Sequence, residues 1–394
     1  MKRIMVITPR FPYPVIGGDR LRIYHICREL SQHFIVDLYS LCESVDEMKM
    51  PPQNDGVFEN VYKIHLPKKQ SYINSFGGLF SSKPIQVAYY RSNELRKLIT
   101  ENAARYDLCI GHLVRVAEYL DYAPKQCIIE MTDAISMNYA RIKGVGRLLD
   151  FRSWLFRIEA NRLLKYERSI RKRASAVSLI SEVDANYLFG NPLPRNVIIC
   201  NNGVDLEGFK YSREYRRTKT IAFVGNLSSL QNLDACLYFI DEILPALRRH
   251  DSEIKLRVVG RMSDNVHERL LCFEGVEIAA NVSSVSDALA DVAVGIAPMR
   301  LGAGVQNKVL EYFALGIPAV VSELAHEGLS AIPGKDLLVC TVPAQYIQSI
   351  LELLNDNDRA ESLARSGRAY VENWHSWSQS LAPLITATKA ILHA

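Results

Sequence analysis

Residues Val294 to Ser322 read VGIAPMRLGAGVQNKVLEYFALGIPAVVS. The order is strand, glycine-rich loop, helix, tight turn and second strand, a unit of parallel α/β sheets. Gly302 and Gly304 let backbone amides approach a ligand closely. The spacing predicts a helix beginning near Val305 or Gln306, whose N-terminus offers unpaired N–H groups and a positive dipole to an anion. Lys308 falls in the first turn of that helix, where a cation opposes the dipole; this points to a ligand phosphate. Glu311, three residues on, shares its face. Such a pair suits a nucleoside diphosphate, with Lys308 on phosphate and Glu311 accepting from both ribose hydroxyls. The alternative is a surface Lys/Glu pair beside a structural turn.

Outward from this stretch, short apolar runs alternate with helical spacing. Toward the C-terminal side of the chain, Thr220–Val224, Lys255–Val259, Val276–Ala279, Ala293–Ala297 and Ala319–Ser322 read as strands, with a helix over Leu233–His250. The same pattern runs earlier: Ile4–Thr8, Phe34–Ser40, Val61–Leu66, Leu108–Ile110, Cys127–Glu130, Ala176–Ile180 and Asn196–Cys200 as strands, helices over Arg20–His33 and near Ser92–Asn102, and one long amphipathic helix over 147–172. Strands separated by helices predict parallel sheets covered on both faces. The polar stretch 206–219 breaks the pattern, so the chain divides in two. The boundaries are placed at 1–208 and 209–375, with a last helix over about 376–394 returning to the first part. Tyr370, Trp374 and Trp377 read as apolar anchors of these last helices.

Composition fits this picture. The 394 residues are 48% hydrophobic and 23% charged, ordinary for a globular protein with full cores. No run approaches a membrane span, and the apolar stretch Ile4–Thr8 is too short for a signal peptide. Eight scattered cysteines form no metal spacing and read as reduced core residues of a cytoplasmic protein. Residues 1–214 hold 31 Lys/Arg against 23 Asp/Glu, whereas 215–394 hold 16 against 20. The basic excess is densest over 141–173, with 11 Lys/Arg against Asp150, Glu159 and Glu167. That stretch is either a solvated helix face or a contact for an anionic membrane or acceptor.

The segment GAGVQNKVLEYFALGIPAVVS resembles the signature of family 4 glycosyltransferases. So do IAFVGNLSSLQNLDACLYF (221–239), LRVVGR (256–261), NNGVDLEGF (201–209) and ERSIRKRASAVSLISEVDANYL (167–188), in the same order along most of the chain. The resemblance implies the GT-B fold: two facing Rossmann-like domains, an acceptor-side N-terminal one and a nucleotide-sugar-binding C-terminal one, with the last helix crossing back. It implies a metal-independent, retaining hexosyltransferase that moves sugar from a UDP- or GDP-linked donor to an acceptor hydroxyl. The exopolysaccharide subgroups suggest cell-surface polysaccharide or glycan synthesis on a glycan or lipid-linked acceptor. The basic stretch 141–173 points to a cytoplasmic protein attached peripherally at the inner membrane face, and neither a nucleic-acid partner nor a cofactor is expected.

Carried over residue by residue, Glu311 matches the ribose-binding glutamate. Ala303 stands where many members have a second glutamate that touches the sugar, which leaves sugar recognition to the amides of Gly302, Ala303, Gly304 and Val305. The loop after Val224 (Gly225, Asn226, Ser228, Ser229, Gln231, Asn232) lacks the family's Arg and Lys. Lys308 is then the best remaining diphosphate cation, with Arg261 and Arg20 behind it. Gln306 and Asn307 complete the helix N-terminus of the donor loop. In the first half, Gly17 and Gly18 sit in the turn before helix one and face donor and acceptor; Asp19 reads as a helix cap, and Arg20 and Arg22 as phosphate contacts or solvated side chains. His112 resembles the histidine that contacts the donor sugar near the reacting centre. Asp133, with Glu130 as alternative, is placed to meet an acceptor hydroxyl. Asp356-Asn357-Asp358 has the form of a metal motif but lies between helices, where such residues act as caps. A second function class is a non-catalytic subunit that binds nucleotide sugar or lipid, which Ala303 keeps open.

Overall fold

The computed structural model describes residues 1–15, 18–51, 53–142, 151–211, 218–282, 284–302 and 305–393, with the backbone alone at 142 and 151–157. Two compact units emerge, one of residues Met1–Asn201 with Leu381–Ala394, the other Asn202–Ser380. The first boundary thus falls at Asn201/Asn202, ahead of the polar stretch, and the last helix, Trp377–His393, is shared, its residues from Leu381 belonging to the first unit.

The first unit is a seven-stranded parallel sheet. Its strands are β1 (Arg3–Thr8), β2 (Ile35–Cys42), β3 (Asn60–His65), β4 (Leu108–His112), β5 (Cys127–Thr132), β6 (Ala176–Leu179) and β7 (Val197–Ile199), in the order β3-β2-β1-β4-β5-β6-β7. Ile4, Met5, Val6 and Ile7 are fully buried, as expected of a central parallel strand covered on both faces. The second unit has six parallel strands: β8 (Thr220–Val224), β9 (Lys255–Gly260), β10 (Val276–Ala280), β11 (Val294–Ala297), β12 (Ala319–Ser322) and β13 (Leu338–Cys340), ordered β10-β9-β8-β11-β12-β13. Both sheets start at a central strand, wind outward on one side, then return and wind outward on the other. The order reverses between β1 and β4, and again between β8 and β11. In such sheets the C-terminal ends of those two strands diverge into a ligand crevice.

The structure departs from the sequence reading at several elements. The helix expected over Leu233–His250 is two, Leu230–Glu242 and Leu244–His250, because Pro245 cannot continue the first. Helices Lys68–Leu79, Ile85–Tyr89 and Asp264–Leu271, and strand β13, escaped notice. β4 extends through His112 and β5 through Thr132, so His112 is a strand residue rather than one that follows the strand, and Glu130 stays within its expected strand. The long basic helix runs Phe151–Ile170; residues 143–150 of the basic stretch lie outside the described residues. Trp377 packs, its ring so close to Gly203 that a Cβ there would meet it at 2.6 Å, but Trp374 is exposed. All eight cysteines are free, and Cys272 is the exposed exception. Asp356 caps helix Asn357–Trp374 by accepting from Arg359 N at 2.9 Å.

Candidate functional site

At the C-terminal ends of β8 and β11 the second sheet is held open by one side chain. Tyr312 lies on helix Asn307–Leu315; its hydroxyl donates toward Ala222 O (3.1 Å) and Ile296 O (3.2 Å) and accepts from Val224 N (3.0 Å). The ring passes over β11 only because residue 295 is glycine; a Cβ there would meet the ring at 2.5 Å. The helix is thus pinned with its N-terminus above the crevice. It begins at Asn307, with Gln306 as an N-cap whose side chain makes no capping bond, so the predicted start at Val305 or Gln306 was early. An uncapped N-terminus leaves amides for an anion. Val305 is buried, and Asn307 Oδ1 accepts from Asn202 at 2.7 Å. Gly302 takes φ +126°, a conformation glycine adopts freely. Ala303 and Gly304, on which the sequence reading placed sugar-contacting amides, lie outside the described residues.

Lys308 is not the surface lysine of the alternative reading. It is 6% exposed, stacked over the Phe223 ring at 4.4 Å, and donates to Asn232 Oδ1 at 2.7 Å. Burial pushes its ammonium down to about 7, against the partial support of Glu311. Burial pushes the Glu311 carboxyl up to about 7, and its Oε2 is buried with no hydrogen-bond partner among the described residues. A dry cation and a dry carboxyl oxygen therefore stand on one helix face at the sheet's switch point. Such groups are under-satisfied until something polar arrives.

The residue that the sequence reading undervalued is Asn232. In the sequence it stands only as an uncharged residue in the loop after β8. In the structure it orients Lys308 and donates to Asn226 O at 3.2 Å. Its signal was available: the helix Leu230–Glu242 starts there, close behind the strand. Gly225 gives it room, since a Cβ on Gly225 would meet Asn232 at 2.8 Å. Asn226 itself turns its side chain to Ser228 N (3.1 Å) and serves the loop. Arg261 is exposed, with its carbonyl taken by Leu227 N at 2.8 Å.

The first unit carries a second polar cluster at its own switch point. Arg22 and Glu130 form an ion pair at 2.7 Å with both side chains at most 1% exposed. The guanidinium also donates to Cys200 O (2.9 Å) and Asn201 O (3.1 Å), so Arg22 is neither solvated nor turned to a phosphate. Glu130 accepts in addition from Thr132 N and Oγ1, each at 3.0 Å, and meets His112 Nδ1 at 2.7 Å. Burial opposes its charge, but Arg22 and His112 outweigh that and hold the carboxyl at about 2. An ionised carboxylate only accepts, so His112 Nδ1 carries the hydrogen and Nε2 is left for another partner. Nε2 is buried with no partner among the described residues. Leu113 and Thr132, beside His112 and Glu130, take positive φ of 69° and 66°, rare for such side chains and common at functional sites.

His112 shares a small pocket with Arg10, Asp19 and Arg20 at the ends of β1 and β4. Gly18 starts the first helix there, and Gly17 lies outside the described residues. Arg20 pairs through Nη2 with Glu47 at 2.5 Å. Arg10, not singled out in the sequence, has a buried Nε without a partner among the described residues. Asp133 is not joined to His112 by any described hydrogen bond; it accepts from Asn138 at 3.1 Å, and burial with nearby Asp184 pushes it up to about 6.

Against protein-family models, residues 218–356 match Glycosyl transferases group 1. The matched residues lie within the second unit. The chain is 21% identical over 389 residues to an uncharacterized 44.6 kDa protein in the cps region of Klebsiella pneumoniae, covering 95% of this chain and 97% of that one. Among solved structures, sucrose-phosphate synthase of Thermosynechococcus elongatus matches with TM-score 0.73 at 14% identity, over 100% of both chains. The Anabaena protein HepE, solved with UDP-glucose, matches with TM-score 0.70 at 13% identity, over 98% of this chain and 99% of that one. The architecture is GT-B, with two Rossmann-like domains.

Proposed function

We propose that this protein transfers a sugar, with retention, from a UDP- or GDP-linked donor to an acceptor hydroxyl on a glycan. The observation that carries the reading is the buried Lys308 beside the half-buried Glu311, whose Oε2 is dry, at an uncapped helix N-terminus by the β8/β11 switch point. Lys308 and the first amides of helix Asn307–Leu315 meet the diphosphate, whose charge grows as the glycosidic bond breaks; one such contact is worth roughly 3 kcal/mol in the transition state. Glu311 accepts from the ribose. His112 Nε2, its ring held by Glu130, is free to meet a sugar hydroxyl at the first unit's own crevice. No metal takes part, because Lys308 and the helix dipole serve the leaving diphosphate. The UDP-glucose bound by the fold neighbour HepE favours uridine as the base, and the cps-region relative favours a capsule-type acceptor.

Saturation-transfer NMR against a panel of UDP- and GDP-sugars tests the donor site. One nucleotide class gives signal, and Glu311→Gln weakens it at least tenfold. Silence from the folded protein across the whole panel refutes the donor site. Binding without hydrolysis or transfer assigns the chain to a non-catalytic subunit instead. Turnover is unchanged by EDTA; its loss refutes the metal-independent step.

A further inference from the structure

Five large apolar side chains lie exposed within nine residues of the first unit: Tyr72, Ile73, Phe76, Leu79 and Phe80. Tyr72, Ile73 and Phe76 are 64 to 66% exposed and Phe80 is 83% exposed, so they belong to no core of this chain. Other exposed large hydrophobics among the described residues, such as Val45, Leu271 and Trp374, stand apart in sequence. The cluster follows from helix geometry. Helix Lys68–Leu79 turns Ser71 and Gly78 inward, and Gly78 sits so close to helix Ile85–Tyr89 that a Cβ would meet Ala88 at 2.7 Å. Positions 72, 73, 76, 79 and 80 then share the outward face. Phe76 and Phe80 pair edge to face at 5.6 Å between centroids, which makes one continuous aromatic surface.

We propose that this face docks the protein onto an anionic lipid surface. Charge argues for that occupant. Between Glu59 and Glu94 the sequence has no acidic residue and five basic ones. Lys83 and Arg91 are paired with Glu118, but Lys68 and Lys69 are exposed at the start of the apolar helix. The basic helix Phe151–Ile170 is attached to the same hairpin. Its Arg162 donates to Leu79 O at 3.0 Å, and its Glu159 accepts from Gln86 N at 3.2 Å. Apolar and aromatic side chains with cations beside them and no acids among them are the pattern of a helix lying in a membrane interface. A second copy of the chain fits less well, because a two-fold contact brings two copies of the same acid-free face together and gives Lys68 and Lys69 no carboxylate from that face to pair with. The inference moves the membrane anchor from the basic stretch 141–173 alone to the apolar helix beside it. It stands independently of the donor site.

Co-sedimentation with phosphatidylcholine vesicles containing about one third phosphatidylglycerol tests the proposal. The wild-type protein sediments. Phe76→Ser/Phe80→Ser reduces the partition coefficient by roughly tenfold or more, and Lys68→Glu/Lys69→Glu reduces it and removes most of its salt dependence. Both variants keep the wild-type thermal midpoint and the nucleotide-sugar NMR signal, since none of the four residues supports the core or the donor site. Three results overturn the proposal: no sedimentation of the wild type, sedimentation indifferent to the phenylalanines, or a lowered midpoint in the variants. So does light scattering that finds a wild-type dimer and a monomeric Phe76→Ser/Phe80→Ser, which gives the face to a second copy.

Discussion

Replacing Glu130 by Gln keeps the size of the side chain and removes its charge from a site where Arg22 is 1% exposed. Arg22 would retain Cys200 O and Asn201 O, but no anion would remain to balance the guanidinium. Breaking one side of a buried ion pair costs about 3–5 kcal/mol. The titration of Glu130 gives a second route to the same quantity. Its carboxyl moves from an ordinary 4.5 to about 2 in the folded protein. That displacement corresponds to about 3 kcal/mol. Because the folded value is the lower one, the contribution is complete well above pH 4.5 and fades as the pH falls toward 2. By pH 4 roughly 1 kcal/mol of it is gone. The assay is urea unfolding of wild type, Glu130→Gln, Arg22→Met and the double variant at pH 7. Wild type and Glu130→Gln are then compared at pH 5 and 4. Glu130→Gln loses about 3 kcal/mol at pH 7, the gap narrows at pH 4, and the double variant recovers part of the loss. A loss below about 1 kcal/mol, or strictly additive single variants, refutes the view that this pair organises the β1/β4 crevice.

Two further outcomes follow from the second unit. With Lys308 and Glu311 both titrating near 7, binding of a diphosphate selects the charged lysine and the charged carboxylate. Donor binding then takes up a proton above pH 7 and releases one below it, giving a bell-shaped affinity centred near 7. Calorimetry in buffers of differing ionisation enthalpy reads the sign on each side, and Glu311→Gln removes the acidic limb. Gly295→Ala forces a methyl to within 2.5 Å of the Tyr312 ring. It lowers stability by about 1–3 kcal/mol in urea unfolding and weakens donor binding, since the helix N-terminus shifts with the ring.

The sequence alone determined the alternation of buried strands with helices, and from it two parallel α/β units. Apolar runs such as Ile4–Ile7 have no other place to go than a sheet covered on both faces. It also marked the strand–loop–helix unit over 294–322 and placed Lys308 and Glu311 on one helix face, because helical spacing is a local property. It did not tell whether that face was wet or dry. Burial of Lys308 under Phe223 and its bond to Asn232 join residues 76 positions apart, a distance no periodicity spans. The Arg22–Glu130–His112 cluster is the same kind of fact. Arg22 reads as a phosphate contact or a solvated side chain and Glu130 as a strand-end alternative to Asp133, since the sequence does not show which strand ends meet at the switch point. Likewise, no local pattern marks Tyr72, Ile73 and Phe76 as outward-facing. Only the packing of Ser71 and Gly78 against Ile85–Tyr89 decides that they face outward. Local pattern fixes which elements form; which polar groups are dried, paired or left waiting is set by contacts made across the chain.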